Sequence, residues 1–209
     1  MDAIHTLSLS LGAAWASGIN LYATIFVLGI MNATGAVDLP PALDVLSNPF
    51  VLTIAGILYF VEFFADKIPG LDSAWDAIHT FIRIPAGVVL AASALGPVNP
   101  GYQLAAALLG GALATSTHAT KAGTRLLINT SPEPVSNWFA SITEDFLAIF
   151  GIWTALRHPY LFLLLLVLFV ISLIWLLPII YGGIRRIVKW CTSKIRGENI
   201  SNNTPLPAS

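Results

Sequence analysis

Between Glu62 and Arg83 the chain reads EFFADKIPGLDSAWDAIHTFIR, placing Glu62, Asp66, Lys67, Asp72, Asp76, His79 and Arg83 between two long apolar runs. Carboxylates at this density offer hard oxygen ligands or proton carriers. Lysine and arginine hold anions or tune affinity, and imidazole exchanges protons near neutral pH. A charged side chain at the centre of a membrane helix costs roughly 2.5–3.5 kcal/mol on insertion scales. Three such groups at depth would cost roughly 8–10 kcal/mol before any pairing. They persist only where they pair or line a wet cavity, so this stretch marks a site.

Helical spacing decides which of these groups meet. Asp72, Asp76, His79 and Arg83 follow i, i+4, i+7, i+11 and share one narrow face of a helix. Further on, His118, Lys121, Arg125 and Asn129 follow i, i+3, i+7, i+11, again one face. Asn137, Ser141 and Glu144 share a third stripe, with Asp145 at its edge as an exposed or loosely paired acid. Glu62 and Asp66, at i and i+4, make a fourth, and Glu133 sits in a rigid turn between Pro132 and Pro134. Convergence of the four stripes lets the acids of the second and third helices neutralise the bases of the fourth. These residues, from Glu62 to Glu144, are the candidate ion- or solute-binding set.

Three chemistries fit that set. The leading one is translocation of an ion or small charged solute, with acids as cation ligands or proton carriers and His79 and His118 as proton relays. A second is a membrane-embedded metal-dependent enzyme acting on a phosphorylated or lipid substrate. Glu62, Asp66, Asp76, His79 and His118 are compatible with a divalent metal ion, and Lys121 with Arg125 would clamp a phosphate. The third is a structural salt-bridge lock. It needs one or two pairs, fewer than are present, and buried pairs are rarely a net gain over apolar packing. No H-E-x-x-H, Walker loop, G-x-S-x-G or Cys–His cluster occurs, so hydrolysis by a serine or cysteine nucleophile has no support.

The elements that must position these groups are apolar helices. Of 209 residues, 56% are hydrophobic and 10% charged, against roughly 25% charged in ordinary soluble domains. Mean hydropathy is +0.78. The expected fold is an all-α polytopic membrane protein of about six transmembrane helices. The spans cover about Leu9–Met31, Phe50–Asp66, Ser73–Leu95, Tyr102–Leu127, Val135–Ala155 and Tyr160–Ile180. Asp72 is expected as the N-cap of the third, Pro85 as a kink within it, and Ala42–Ser47 as a short interfacial helix. Whether the third helix crosses or re-enters is open, its length favouring a crossing. In the first span, Ser17–Asn20 (SGIN) either packs helices or walls the polar site.

Residues 1–184 form one transmembrane domain, and 185–209 a basic segment with a disordered tail. Five of the ten basic residues, Arg185, Arg186, Lys189, Lys194 and Arg196, crowd just after the last apolar run. By the positive-inside rule this is a cytoplasmic anchor, with both termini cytoplasmic, not a nucleic-acid patch; the expected location is an inner (cytoplasmic) membrane. The partners expected are membrane lipids, the ion or solute, and a second copy of the chain where a homo-oligomer forms. The lone Cys191 excludes an internal disulfide. A shift of 63 positions aligns Pro69–Thr80 with Pro132–Thr143 and Asp66 with Asn129, a parallel repeat of helices two and three in four and five.

The segments SGINLYAT (17–24), LYFVEFFADKIPGLDSAWDAIHTFIR (58–83), HATKAGTR (118–125) and INTSPEPVSN (128–137) together carry a resemblance to a family. The chain resembles an uncharacterised family of small bacterial and plastid membrane proteins, a domain of unknown function, over most of residues 10–157. The resemblance implies an all-helical membrane fold and no established activity. Fainter is a similarity to cation exchangers bearing Glu-x-Gly-Asp-Lys in each half, echoed by Glu62, Asp66 and Lys67. Ala65 replaces the glycine, the acids stand one residue further apart, and the second half has no copy.

Overall fold

The computed structural model describes residues 2–130 and 134–195. Glu133 with Pro132, and the polar tail from Arg196 onward, lie outside the described residues. Among those described, every regular element is helical: α1 (Ala3–Ile19), α2 (Leu21–Ala33), a 3-10 helix (Pro41–Ser47), α3 (Pro49–Ala65), α4 (Leu71–Ala94), α5 (Pro100–Ile128), α6 (Pro134–Arg157) and α7 (Pro159–Ile195). The 3-10 helix falls where a short interfacial helix is expected, and α3 to α6 match the expected spans within a few residues at each end.

Local chemistry sets the boundaries. Prolines at the first position open α3 and α5, where the missing N–H has no helical partner to lose. Asn48 and Asn99 precede them and accept the N–H of Phe50 and Gly101. Gly70, at φ +87°, stands before α4 in a conformation that a side chain would strain. Asp72 is therefore not the N-cap; it lies one residue inside α4, its Oδ1 accepting the N–H of Gly70 at 2.9 Å and of Ser73 at 2.6 Å. Pro85 is accommodated within α4, which runs unbroken to Ala94.

The first apolar run does not form one span. It breaks at Asn20, whose backbone is extended (φ −145°, ψ 101°), and the chain turns back there. Near the start of α1, Ser8 Oγ donates to Ala155 O and Ser10 Oγ to Ala91 O, each at 2.8 Å, so α1 begins beside the ends of α6 and α4. After α2, Arg157 Nη2 donates to Ala36 O at 2.9 Å and Asn32 Nδ2 to Ser47 Oγ at 2.7 Å, so α2 returns to that same end. With 17 and 13 residues, the two arms measure about 25 and 20 Å at ~1.5 Å per residue. Neither reaches across a hydrocarbon core of ~30 Å. Together they form a hairpin that enters the bundle and leaves by the same end.

α1 is the centre of the packing, buried from Ser8 to Ile19 except at Leu11. Small residues let α4 and α5 approach it. A Cβ on Gly18 would overlap Thr117 Oγ1 of α5, one on Gly87 of α4 would stand 3.0 Å from Ser17 Oγ, and one on Gly110 would overlap Ala91 Cβ where α5 meets α4. Trp15 fills the space on the other side, edge-on to Phe162 and Phe169 of α7. α7 has 37 residues, about 55 Å at ~1.5 Å per residue. The basic segment is thus a helical continuation of α7 as far as Ile195, with Arg185, Arg186 and Lys189 exposed. A Cβ on Gly183 would stand 2.9 Å from Leu127, which places the far part of α7 beside the end of α5. The start of α1 and the far part of α7 therefore lie at opposite ends of the bundle.

Leu71–Ala94 and Val135–Arg157 are long and apolar enough to cross a membrane, and the 3-10 helix with α3, bent by 66°, makes a third candidate. α4 and α6 are both 24 residues long, with starts and ends each 63 positions apart, and α3 and α5 end 63 apart.

Candidate functional site

The charged faces of α3, α4, α5 and α6 meet inside the bundle, at the depth of the hairpin tip. The C-terminal half of α3 supplies Glu62, and the turn after it Asp66. The first half of α4 supplies Asp76 and Arg83, the last third of α5 Lys121 and Arg125. Arg83 is wholly buried and joins two acids, Glu62 through Nη2 and Asp76 Oδ1 through Nη1 at 2.9 Å. Lys121 Nζ lies 2.8 Å from Asp66 Oδ2 and 3.1 Å from Glu62 Oε1, with Asp76 and Glu144 at 3.6 and 3.7 Å. One ammonium thus bridges acids from three elements, as the spacing predicts.

Arg125 ties this centre to α6. Its Nη2 donates to Glu144 Oε2 at 2.6 Å and its Nε to Oε1 at 3.2 Å, a two-pronged grip on one carboxylate. Its Nη1 donates to the backbone carbonyls of Asp66 and Asn137 at 2.9 and 3.1 Å. Below it, Asn129 Nδ2 donates to both oxygens of Asp72 at 2.8 and 3.0 Å, and Asn137 Nδ2 donates to Asn129 Oδ1 at 2.8 Å. Asp72, Asn129 and Asn137 therefore close the end of the cluster rather than its centre.

Three predicted residues take other places. His79 shares the stripe of Arg83 but turns to its own helix; its Nδ1 is 2.8 Å from Trp75 O, and its ring stacks on Trp75 with Tyr22 edge-on. His118 Nδ1 accepts from Arg83 at 3.3 Å, and its Nε2 stands 2.7 Å from Thr80 Oγ1, which itself donates to Asp76 O. Those partners require a neutral ring with its proton on Nε2, because arginine has no acceptor to offer. Lys67 stands apart from the carboxylates: its Nζ donates to Phe63 O at 2.9 Å and Ser141 Oγ at 3.3 Å, against the face of the Phe63 ring.

The five residues weighed as metal ligands do not form one ligand set. Glu62, Asp66 and Asp76 each face a cation, while His79 and His118 face a carbonyl, a hydroxyl and an arginine. Among the described residues no group of three or more His, Cys, Asp or Glu is placed to hold a metal ion.

Two residues outside the predicted set belong to the site. Asn20 Oδ1 accepts the N–H of Ala23, capping α2, while Nδ2 donates to Asp145 Oδ1 at 2.9 Å. Asp145, read from the sequence as exposed or loosely paired, is 6% exposed. Its position off the main stripe concealed it, because its partner comes from the hairpin and not from a neighbouring stripe. The SGIN segment was the available signal, and its Asn20 does wall the site.

Around this centre six carboxylates (Glu62, Asp66, Asp72, Asp76, Glu144 and Asp145) face four cations (Lys67, Arg83, Lys121 and Arg125), an excess of two negative charges when all are ionised. Glu62 Oε2, Asp66 Oδ1, Asp76 Oδ2 and Asp145 Oδ2 are buried with no donor among the described residues. A cavity of about 680 Å³ between α1, α5, α6 and α7 reaches the cluster at Lys121 and Glu144; Phe139, Phe146, Phe150 and Phe162 are among its walls.

An all-helical bundle with apolar helices of membrane-crossing length and a buried charged centre is the class of protein these features define. Over residues 7–178 the chain matches the model of a domain of unknown function, DUF4126, and it belongs to that family. No curated protein and no solved structure matches it.

Proposed function

We propose that this protein is a small membrane transporter that moves an ion or small charged solute through the cluster between α3, α4, α5 and α6. The carrying observation is the charge imbalance of the cluster, five buried carboxylates and the half-buried Glu144 to four buried cations, with four carboxylate oxygens that no group among the described residues satisfies. A buried acceptor without a donor costs free energy until a proton, a cation or water reaches it. That imbalance favours a cation over an anion as the solute. A lock built for stability alone would balance its charges, since apolar residues in their place would do as well or better. The broken first helix adds support, because ion and substrate sites in transporters form where half-helices end inside the membrane.

The exposed Arg185, Arg186 and Lys189 orient the bundle by the positive-inside rule. In this reading the far part of α7 and the ends of α3 and α5 face the cytoplasm of a bacterial inner membrane. Five helices, α3 to α7, cross, while the α1–α2 hairpin enters from outside. The 63-residue offset between the ends of α3 and α5, and of α4 and α6, supports a parallel repeat of two helix pairs.

The test is flux in proteoliposomes containing a pH-sensitive dye, screened with monovalent cations, divalent cations and then anions. Wild type is compared with folded Glu62→Gln, Asp76→Asn and Lys121→Met variants. Flux of one ion class that falls at least tenfold in these variants is the expected result. No flux of any ion from folded, correctly oriented protein sinks the proposal.

A further inference from the structure

Asp145 differs from every other acid of the cluster. Glu62, Asp66, Asp72, Asp76 and Glu144 each have an arginine or lysine nitrogen within 4.0 Å. Asp145 is the one buried carboxylate among the described residues with no ion-pair partner. Its Oδ1 accepts from Asn20 Nδ2, and its Oδ2 is buried with no protein donor. Asn20 at the hairpin tip is its hydrogen-bond partner, and the titratable groups within electrostatic reach are Glu62 and Tyr59 from α3, Lys67 from the turn after α3, and Lys121 from α5. Lys121 is committed to four other acids. Lys67 is held by a carbonyl, a hydroxyl and an aromatic face, all uncharged.

We propose that the Asp145 carboxyl is the exchangeable proton site of this protein, a further binding site at the tip of the re-entrant hairpin whose ligand is H⁺. An isolated buried carboxylate is stable as the neutral acid. A proton from water forms the O–H bond at Oδ2, leaving Oδ1 free to accept from Asn20 as it does here. When the proton returns to water, the new negative charge, within the field of Glu62, draws on Lys67, the ammonium within electrostatic reach that holds no carboxylate. Protonation is thereby tied to the hairpin through Asn20 and to the α3–α4 turn through Lys67. That this proton is coupled to solute movement rests on the transport reading; that Asp145 exchanges it does not.

The experiment is an infrared pH titration of the purified full-length protein in lipid, in ¹H₂O and ²H₂O, with no transported ion added. The wild type is expected to show the C=O band of a buried carboxylic acid that shifts with deuterium and disappears as pH rises. Asp145→Asn, which keeps shape and hydrogen bonding, loses that band, whereas Asp66→Asn retains it. Asn20→Leu keeps the acid but removes a donor that favours its ionised form, and moves the midpoint upward by about one pH unit. A titrating band that survives in Asp145→Asn, or a midpoint unmoved in Asn20→Leu, overturns the proposal, as does the absence of any such band from folded wild type. Ion flux with a silent Asp145 would sink this inference alone; a titrating Asp145 in protein that moves no ion would sink the transport reading alone.

Discussion

Lys121 is the perturbation that tests the cluster most directly. Its ammonium lies within 4.0 Å of Glu62, Asp66, Asp76 and Glu144. Lys121→Met keeps the length and removes the charge, so six acids then face three cations. Breaking a buried pair from one side costs about 3–5 kcal/mol, a large share of a typical stability of ~5–15 kcal/mol. The acid at 2.8 Å, Asp66, bears most of the loss. Asp66→Asn added to Lys121→Met makes the count five to three, returning the excess of negative charge to its native value of two.

The assay is equilibrium unfolding in mixed micelles of rising denaturing-detergent fraction, followed by tryptophan fluorescence. The double variant is expected to recover at least about 1 kcal/mol relative to the sum of the singles, the coupling expected of groups in contact. The single variant should also depend on pH with a defined sign. A carboxylate stripped of its cation binds a proton more tightly folded than unfolded, so stability is present at low pH and lost as pH rises. Additive single effects, or a Lys121→Met cost below about 1 kcal/mol, would refute the reasoning that these charges are coupled and dry.

Other perturbations probe the hairpin and its packing. Asn20→Ser keeps a cap for α2 but loses the amide donor to Asp145, whereas Asn20→Asp keeps the cap and, at a pH where Asp145 has lost its proton, sets a like charge beside it. The aspartate should therefore be less stable than the serine by about 1 kcal/mol or more in the same unfolding assay. Gly18→Leu forces a side chain into Thr117 and Ala114 and should destabilise by about 1–3 kcal/mol or more, while Gly182→Ala, open around its Cβ, should be near neutral. With Cys191 replaced by serine, single cysteines at Leu7 and Asp38 should react with an impermeant thiol reagent from one and the same side of oriented vesicles, and a cysteine at Arg185 from the other. Labelling of Leu7 and Asp38 from opposite sides would restore a first helix that crosses.

The stripes were legible because charge stands out in an apolar chain and helical spacing is regular. Asp76, Arg83, Lys121 and Arg125 could be assigned to facing sides before any contact was known. The hairpin was not legible. Leu9 to Met31 holds no charge and no proline and is long enough to span. Nothing local to it says that Ser8 will meet Ala155 and Ala36 will meet Arg157, since both contacts belong to the packing of α1 against distant helices. Asp145 and His79 failed in opposite senses for one reason. Periodicity places a residue on a face but does not name its partner: the hairpin offered Asn20 to Asp145, while Trp75 of its own helix took His79.

Asn20 explains why the break and the site coincide. A helix that ends inside apolar surroundings leaves N–H groups that only a side chain or water can satisfy. Asparagine supplies an acceptor to Ala23 N–H at 2.9 Å and still carries an amide donor, which Asp145 takes at 2.9 Å. Serine caps but offers one rotatable proton, aspartate caps but has no amide donor to give, and glycine permits the turn without reaching the acid. The amide is thus the side chain that meets the backbone and the carboxylate together. A change in the charge of Asp145 alters the hydrogen bond that Asn20 makes, and with it the cap of α2. The fold is held at its turning point by the residue through which a proton on Asp145 would be felt.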